Sequence, residues 1–135
     1  MSSMDWTPEV PATNIQEGFP LIIENTGLKG IKSDLAHLDE STTKLGFVRW
    51  QWEYTRGTYD LKIEDKTTGS EYFLRINARA ESGKLESPYA ILAIEDVYIG
   101  KATFPHGLDY QSPIPDQVMK TAGQKLAELK KKLAE

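Results

Sequence analysis

The sequence predicts a two-layer α+β domain: an antiparallel meander of about five strands with two helices on one face. Three observations carry that reading. Apolar residues recur at helical spacing in two separate stretches, from Ile31 to Leu45 and from Val118 to Leu133. Between them, from Phe47 to Ala80, the period falls to two, as in strands with one buried face. Short polar turns join these runs, so neighbours in sequence pair antiparallel, and sheet and helices bury their apolar sides against each other.

The elements follow in chain order. Residues 1–20 contain Pro8, Pro11 and Pro20 and keep no sustained period. They predict an extended arm, held by Trp6 or Phe19, outside a single domain of residues 21–135. The apolar run from Leu21 to Ile23 suits a short strand. Ile31, Leu35, Leu38, Thr42 and Leu45 then step along one helical face, and Gly46 stands just past the helix end, where glycine is favoured. Val48, Trp50, Trp52 and Tyr54 form one face of the next strand, with Arg49, Gln51 and Glu53 on the other. Tyr59, Leu61 and Ile63, then Tyr72, Leu74, Ile76, Ala78 and Ala80, continue the alternation. The run from Tyr89 to Glu95 is apolar on both sides and suits an inner or doubly covered strand; Asp96 to Phe104 suits a further short one. Pro115 and Asp116 fit the first turn of a last helix, whose stripe is Val118, Ala122, Leu126, Leu129 and Leu133. Its basic end, Lys130 to Lys132, suits the negative pole of the helix and reads as a solvated face.

The hairpins can be put in register. Arg56-Gly57 is a two-residue turn signal, with glycine supplying positive φ. That turn sets Tyr54 opposite Tyr59, Trp52 opposite Leu61 and Trp50 opposite Ile63, making the tryptophans part of the core. On the other face it sets Arg49 against Glu64, Gln51 against Lys62 and Glu53 against Asp60. In the next hairpin apolar must meet apolar. A loop from Lys66 to Gly69 then pairs Ile63 with Tyr72, Leu61 with Leu74, Tyr59 with Ile76 and Asp60 with Arg75. Together the hairpins predict a row Glu53–Asp60–Arg75 across three strands, with Lys62 diagonal to Glu53 and with Phe47 and Phe73 on the same polar face.

Composition narrows the functions. A net charge of −4 argues against general attraction to nucleic acid or anionic membrane. The absence of cysteine excludes disulfides, thiolate nucleophiles and thiolate metal ligands. No apolar run approaches the roughly 20 residues that span a bilayer, and residues 1–18 do not read as a signal peptide, so a cytoplasmic location is expected. No phosphate-binding glycine loop, dinucleotide fingerprint, zinc-binding histidine pair or calcium loop occurs, and no cofactor or metal is expected. His37 lies near Asp39 and Glu40 on the polar side of the first helix and reads as a surface residue. His106, on a turn near Asp109 and Tyr110, is a candidate titrating base.

Two functional readings follow. The first is a non-catalytic domain that binds a protein partner, a second copy of itself or a small ligand. Its contact surface is the open polar sheet face, with Arg49, Glu53, Asp60, Lys62, Arg75 and Arg79, and with His106 as a further candidate. A pocket between sheet and last helix is the other place for a ligand. The second reading is a small hydrolase or isomerase using Glu53 or Asp60 with His106, since two close carboxylates push their pKa values apart.

Trp52-Glu53-Tyr54, Tyr59-Asp60, Lys62, the run from Tyr72 to Ile76 and the run from Phe104 to Tyr110 together resemble the YugN-like family, small proteins of Bacillus and its relatives. The resemblance runs from about Leu21 to the last helix. It implies the order β-α-β(4)-α, TBP-like or helix-grip-like, with the sheet wrapped around a long C-terminal helix. It implies no established activity and no catalytic residues.

Overall fold

Alternation and helical periodicity both reach the folded chain, in the order the sequence sets. The computed structural model describes residues 21–51, 53–102, 108–109 and 113–135. The elements are β1 (Leu21–Ile22), β2 (Lys32–Asp34), α1 (Leu35–Lys44), β3 (Val48–Gln51), β4 (Arg56–Glu64), β5 (Glu71–Ser82), β6 (Ile91–Ala102), β7 (Leu108–Asp109) and α2 (Asp116–Leu133). One antiparallel sheet runs in the order β1-β6-β5-β4-β3, and the short β2 and β7 also pair with β6. The fold is the expected α+β arrangement. The arm of residues 1–20 lies outside the described residues.

Both helices turn apolar stripes to the sheet. Val118, Ala122, Leu126 and Leu129 of α2 and Leu35, Leu38 and Thr42 of α1 are buried, and they join Tyr59, Leu61, Leu74, Ile76 and Ile99 in the interior. Thr42 is tolerated there because its hydroxyl donates to the Leu38 carbonyl at 2.8 Å. Helix α1 begins at Leu35, one turn later than Ile31 predicted. Asp34 is extended, and its carboxylate accepts from the His37 N–H at 2.8 Å, capping the helix. Lys32–Asp34 meanwhile pair with Ala93, Leu92 and Ile91 of β6.

The β4–β5 register is the predicted one. Ile63 faces Tyr72, Leu61 faces Leu74, Tyr59 faces Ile76 and Asp60 faces Arg75. Asp65 braces the turn, its carboxylate accepting from the Thr67 N–H and the Thr68 hydroxyl. The β3–β4 register differs from expectation. Val48 faces Asp60, Arg49 faces Tyr59, Trp50 faces Thr58 and Gln51 faces Gly57, so Arg56 and Gly57 are strand residues and the described turn residues are 53–55. The offset is odd, and it therefore exchanges the two faces of β3.

The cause lies one element upstream. Gly46, at φ +99°, and Phe47 close a Schellman motif on α1, the Gly46 N–H bonding the Thr43 carbonyl and the Phe47 N–H the Thr42 carbonyl, each at 3.0 Å. That motif turns Phe47 back onto the helix it has just left, and Phe47 is buried. Val48 and Trp50 must then face outward, and both are 60% exposed. Tyr54, expected in the core, is exposed as well, with the Lys84 ammonium 5.5 Å from its ring centroid. Trp52 lies outside the described residues.

Residues 91–102 form a single strand where two were expected, and β6 is an inner strand. A bulge places Glu95 and Asp96 opposite Asn77, and a second irregularity follows between Ala80 and Ser82. Such bulges add twist, which helps the sheet curl around the helical layer.

Candidate functional site: the open sheet face

The side of the sheet away from the helices is set by parity. It carries Val48 and Trp50 of β3, Thr58, Asp60 and Lys62 of β4, Phe73, Arg75 and Asn77 of β5, and Tyr98 of β6. At its centre the Arg75 guanidinium grips Asp60 as a fork, Nε to Oδ1 at 2.7 Å and Nη2 to Oδ2 at 2.9 Å. Asp60 is only 7% exposed, so the guanidinium replaces most of the water its carboxylate would otherwise hold. Beside the fork, the Asn77 side-chain oxygen accepts from the Thr58 hydroxyl at 3.1 Å and the Tyr98 hydroxyl at 3.4 Å.

Further along, Arg56 and Arg79 stand directly opposite each other, a repulsive pair. Glu95, delivered by the β6 bulge, reaches both: Oε1 lies 3.5 Å from Arg56 and Oε2 lies 3.2 Å from Arg79. Lys62 pairs with Glu71 at 3.5 Å.

The predicted site residues therefore separate. Asp60, Lys62, Arg75 and Arg79 share the open face as expected. Glu53 does not oppose Asp60; Val48 does, and Glu53 lies in the turn, 3.6 Å from Arg56. The row Glu53–Asp60–Arg75 is thus corrected to Val48–Asp60–Arg75–Tyr98. Arg49 belongs to the opposite side, because the register that buries Phe47 also turns Arg49 inward. It lies 3.6 Å from Asp39 of α1. The Tyr59 hydroxyl donates to the same carboxylate at 2.7 Å. Burial above all, then the bond to Asp39 and its charge, pushes the Tyr59 phenol far above its ordinary range. His106 lies outside the described residues. His37 is half-buried rather than a surface residue.

Trp50, Val48 and Glu95 were missed as site residues. The signal for the first two was the Gly46-Phe47 pair at the helix end, which fixes the parity of β3. Glu95 has no local signal, because it reaches Arg56 and Arg79 through a bulge in β6 that no residue type marks. A cleft of about 470 Å³ lies on the far edge of the sheet, between β1 and β2, lined by residues 22–27, Lys29 and residues 95–97. It is not the expected pocket between sheet and last helix. Among the described residues no group of three or more histidine or acidic side chains is placed to hold a metal ion. Among them no helix is long and apolar enough to cross a membrane.

A curled antiparallel sheet, backed by two helices and open on an ion-paired face, defines a small α+β domain of the β-α-β(4)-α kind. The chain belongs to the YugN-like family, whose profile matches residues 24–133. It is similar to the uncharacterised protein YlbA of Bacillus subtilis (strain 168), with 36% identity over 86 residues, 63% of this chain and 70% of that protein. It is also similar to the crystal structure of the uncharacterised conserved protein YugN from Geobacillus kaustophilus HTA426. That match has a TM-score of 0.73 at 34% identity and covers 84% of this chain and 95% of the other.

Proposed function

We propose that the chain is a non-catalytic, cytoplasmic binding domain whose open sheet face takes a protein partner. One observation carries the reading: Val48 and Trp50, two residues apart on one face of β3, are both 60% exposed beside the buried Asp60 and the half-buried Arg75 that forks it. An exposed tryptophan next to buried, hydrogen-bonded charge is the composition of an interface hot spot. The face is built from strand residues around an exposed tryptophan, which suits a protein better than a small molecule. Its four cations Arg56, Lys62, Arg75 and Arg79 are each held in an ion pair, which leaves a nucleic-acid backbone little to grip. The alternative, an acid/base enzyme using Glu53 or Asp60 with His106, loses the carboxylate pair that favoured it, because Glu53 and Asp60 are held by different arginines; His106 lies outside the described residues.

A photo-crosslinking amino acid at position 48 tests the proposal, with the exposed position 131 on α2 as control. Expressed in cells, the position-48 protein should give an adduct of one defined mass, and the position-131 protein should not. No adduct at 48, or the same adducts at both positions, would overturn it.

A further inference from the structure

Building on that reading, we infer that the partner is a second copy of this chain, docked face to face around Trp50. The first argument is charge. In a two-fold dimer a patch meets itself, so a patch of net charge repels its own copy. The whole chain carries −4, yet the charges of the open face are paired internally: Arg75 with Asp60, Arg79 with Glu95, Arg56 with Glu53 and Glu95, and Lys62 with Glu71. Such a face offers little net field to a partner of opposite charge and little penalty to its own copy. What it leaves exposed, without a counterpart among the described residues, is the apolar pair Val48 and Trp50.

The second argument is the sheet edge. Strand β3 ends the sheet, and among the described residues nothing pairs with its outer side, so a dimer through edge hydrogen bonds would be the obvious rival. That edge carries two of the usual guards against strand addition: it is four residues long, and its charged Arg49 points inward to Asp39. Contact is thereby directed to the face. Two Trp50 side chains, each 60% exposed, supply roughly 200–300 Å² at the 150–250 Å² typical of a buried aromatic. A standard interface needs about 1,200–2,000 Å². The contact must therefore extend over Phe73, Arg75 and Tyr98, with a hot spot small enough for reversible, micromolar association.

Sedimentation velocity from low micromolar to near-millimolar concentration is the test. The wild type should shift from monomer to dimer across that range, with no higher species. Trp50→Glu and Val48→Glu should each weaken association at least tenfold, and Trp50→Glu should do so without moving the melting temperature, because its side chain is already more than half exposed and faces Thr58 rather than a carboxylate. The chain has no cysteine, so Val48→Cys under a mild disulfide-forming oxidant should give one covalent dimer. A wild type that stays monomeric at the highest concentration overturns the inference; if position 48 still crosslinks a different protein, the binding face stands and only the identity of its partner falls. A wild-type dimer that survives both glutamate variants, with position 48 silent in crosslinking, removes the face itself.

Discussion

Arg75 makes the shortest ion pair described on the sheet, 2.7 Å to Asp60. Its fork holds a carboxylate that is 7% exposed, and taking away one member of such a pair strands the other without water. Arg75→Ala should therefore cost about 3 kcal/mol in urea unfolding, near the lower end for a broken buried pair. Arg49→Ala should cost about 1 kcal/mol or less, because Arg49 lies 3.6 Å from an Asp39 that keeps its bond to Tyr59. Equal losses would mean that the fork is ornamental. The Asp60–Arg75 contact was legible in the sequence, because apolar parity over Ile63, Leu61 and Tyr59 leaves one sensible register for β4 and β5. Glu53 was not placed correctly, since its partner depends on a turn whose position the sequence signals ambiguously.

That ambiguity belongs to the elements. Arg56-Gly57 has the composition of a hairpin turn, yet Gly57 is a strand residue, and its φ is not positive. A methyl group there would lie 2.8 Å from Leu85 Cδ2, and Leu85 is itself buried, so the glycine serves close packing rather than turning. Gly57→Ala should destabilise by about 1–3 kcal/mol through overpacking, and be nearly neutral in a Leu85→Ala background, a coupling that a double-mutant cycle measures directly. The same cost in both backgrounds would refute the packing account. Two signals thus competed for the parity of β3, a dipeptide that looks like a turn and a Gly-Phe pair that ends a helix. The helix end won because its hydrogen bonds commit Phe47 before the strand begins. Likewise Asp34, a strong capping residue, overrode the helical spacing of Ile31. Long strands and amphipathic helices were legible because many residues vote for each; caps and bulges rest on one or two.

At the scale of the molecule, one continuous core touches both helices and strands β4, β5 and β6, so the chain should unfold as a unit, and a single free energy describes it. The two layers are also joined by a polar bond, from Tyr59 in β4 to Asp39 in α1. This bond gives stability a defined pH dependence. A phenol whose folded pKa is raised keeps its proton in the native state while the unfolded chain loses it near pH 10. Above that pH the unfolded state binds fewer protons than the native one, so stability is fully present below about pH 10 and falls beyond it, by roughly 1.4 kcal/mol per pH unit for one such group. Burial moves the Tyr72 phenol in the same direction, so part of the slope has a second source. Tyr59→Phe removes the first source alone. It should cost about 1 kcal/mol at neutral pH, where the bond to Asp39 is lost, and then decline less steeply than the wild type between pH 10 and 11. Lysines titrate there in both proteins and cancel in the comparison. Urea unfolding at a series of pH values gives the two curves. Parallel curves would mean that Tyr59 ionises as readily in the folded chain as in the unfolded one, and that the bond across the layers does not hold its proton.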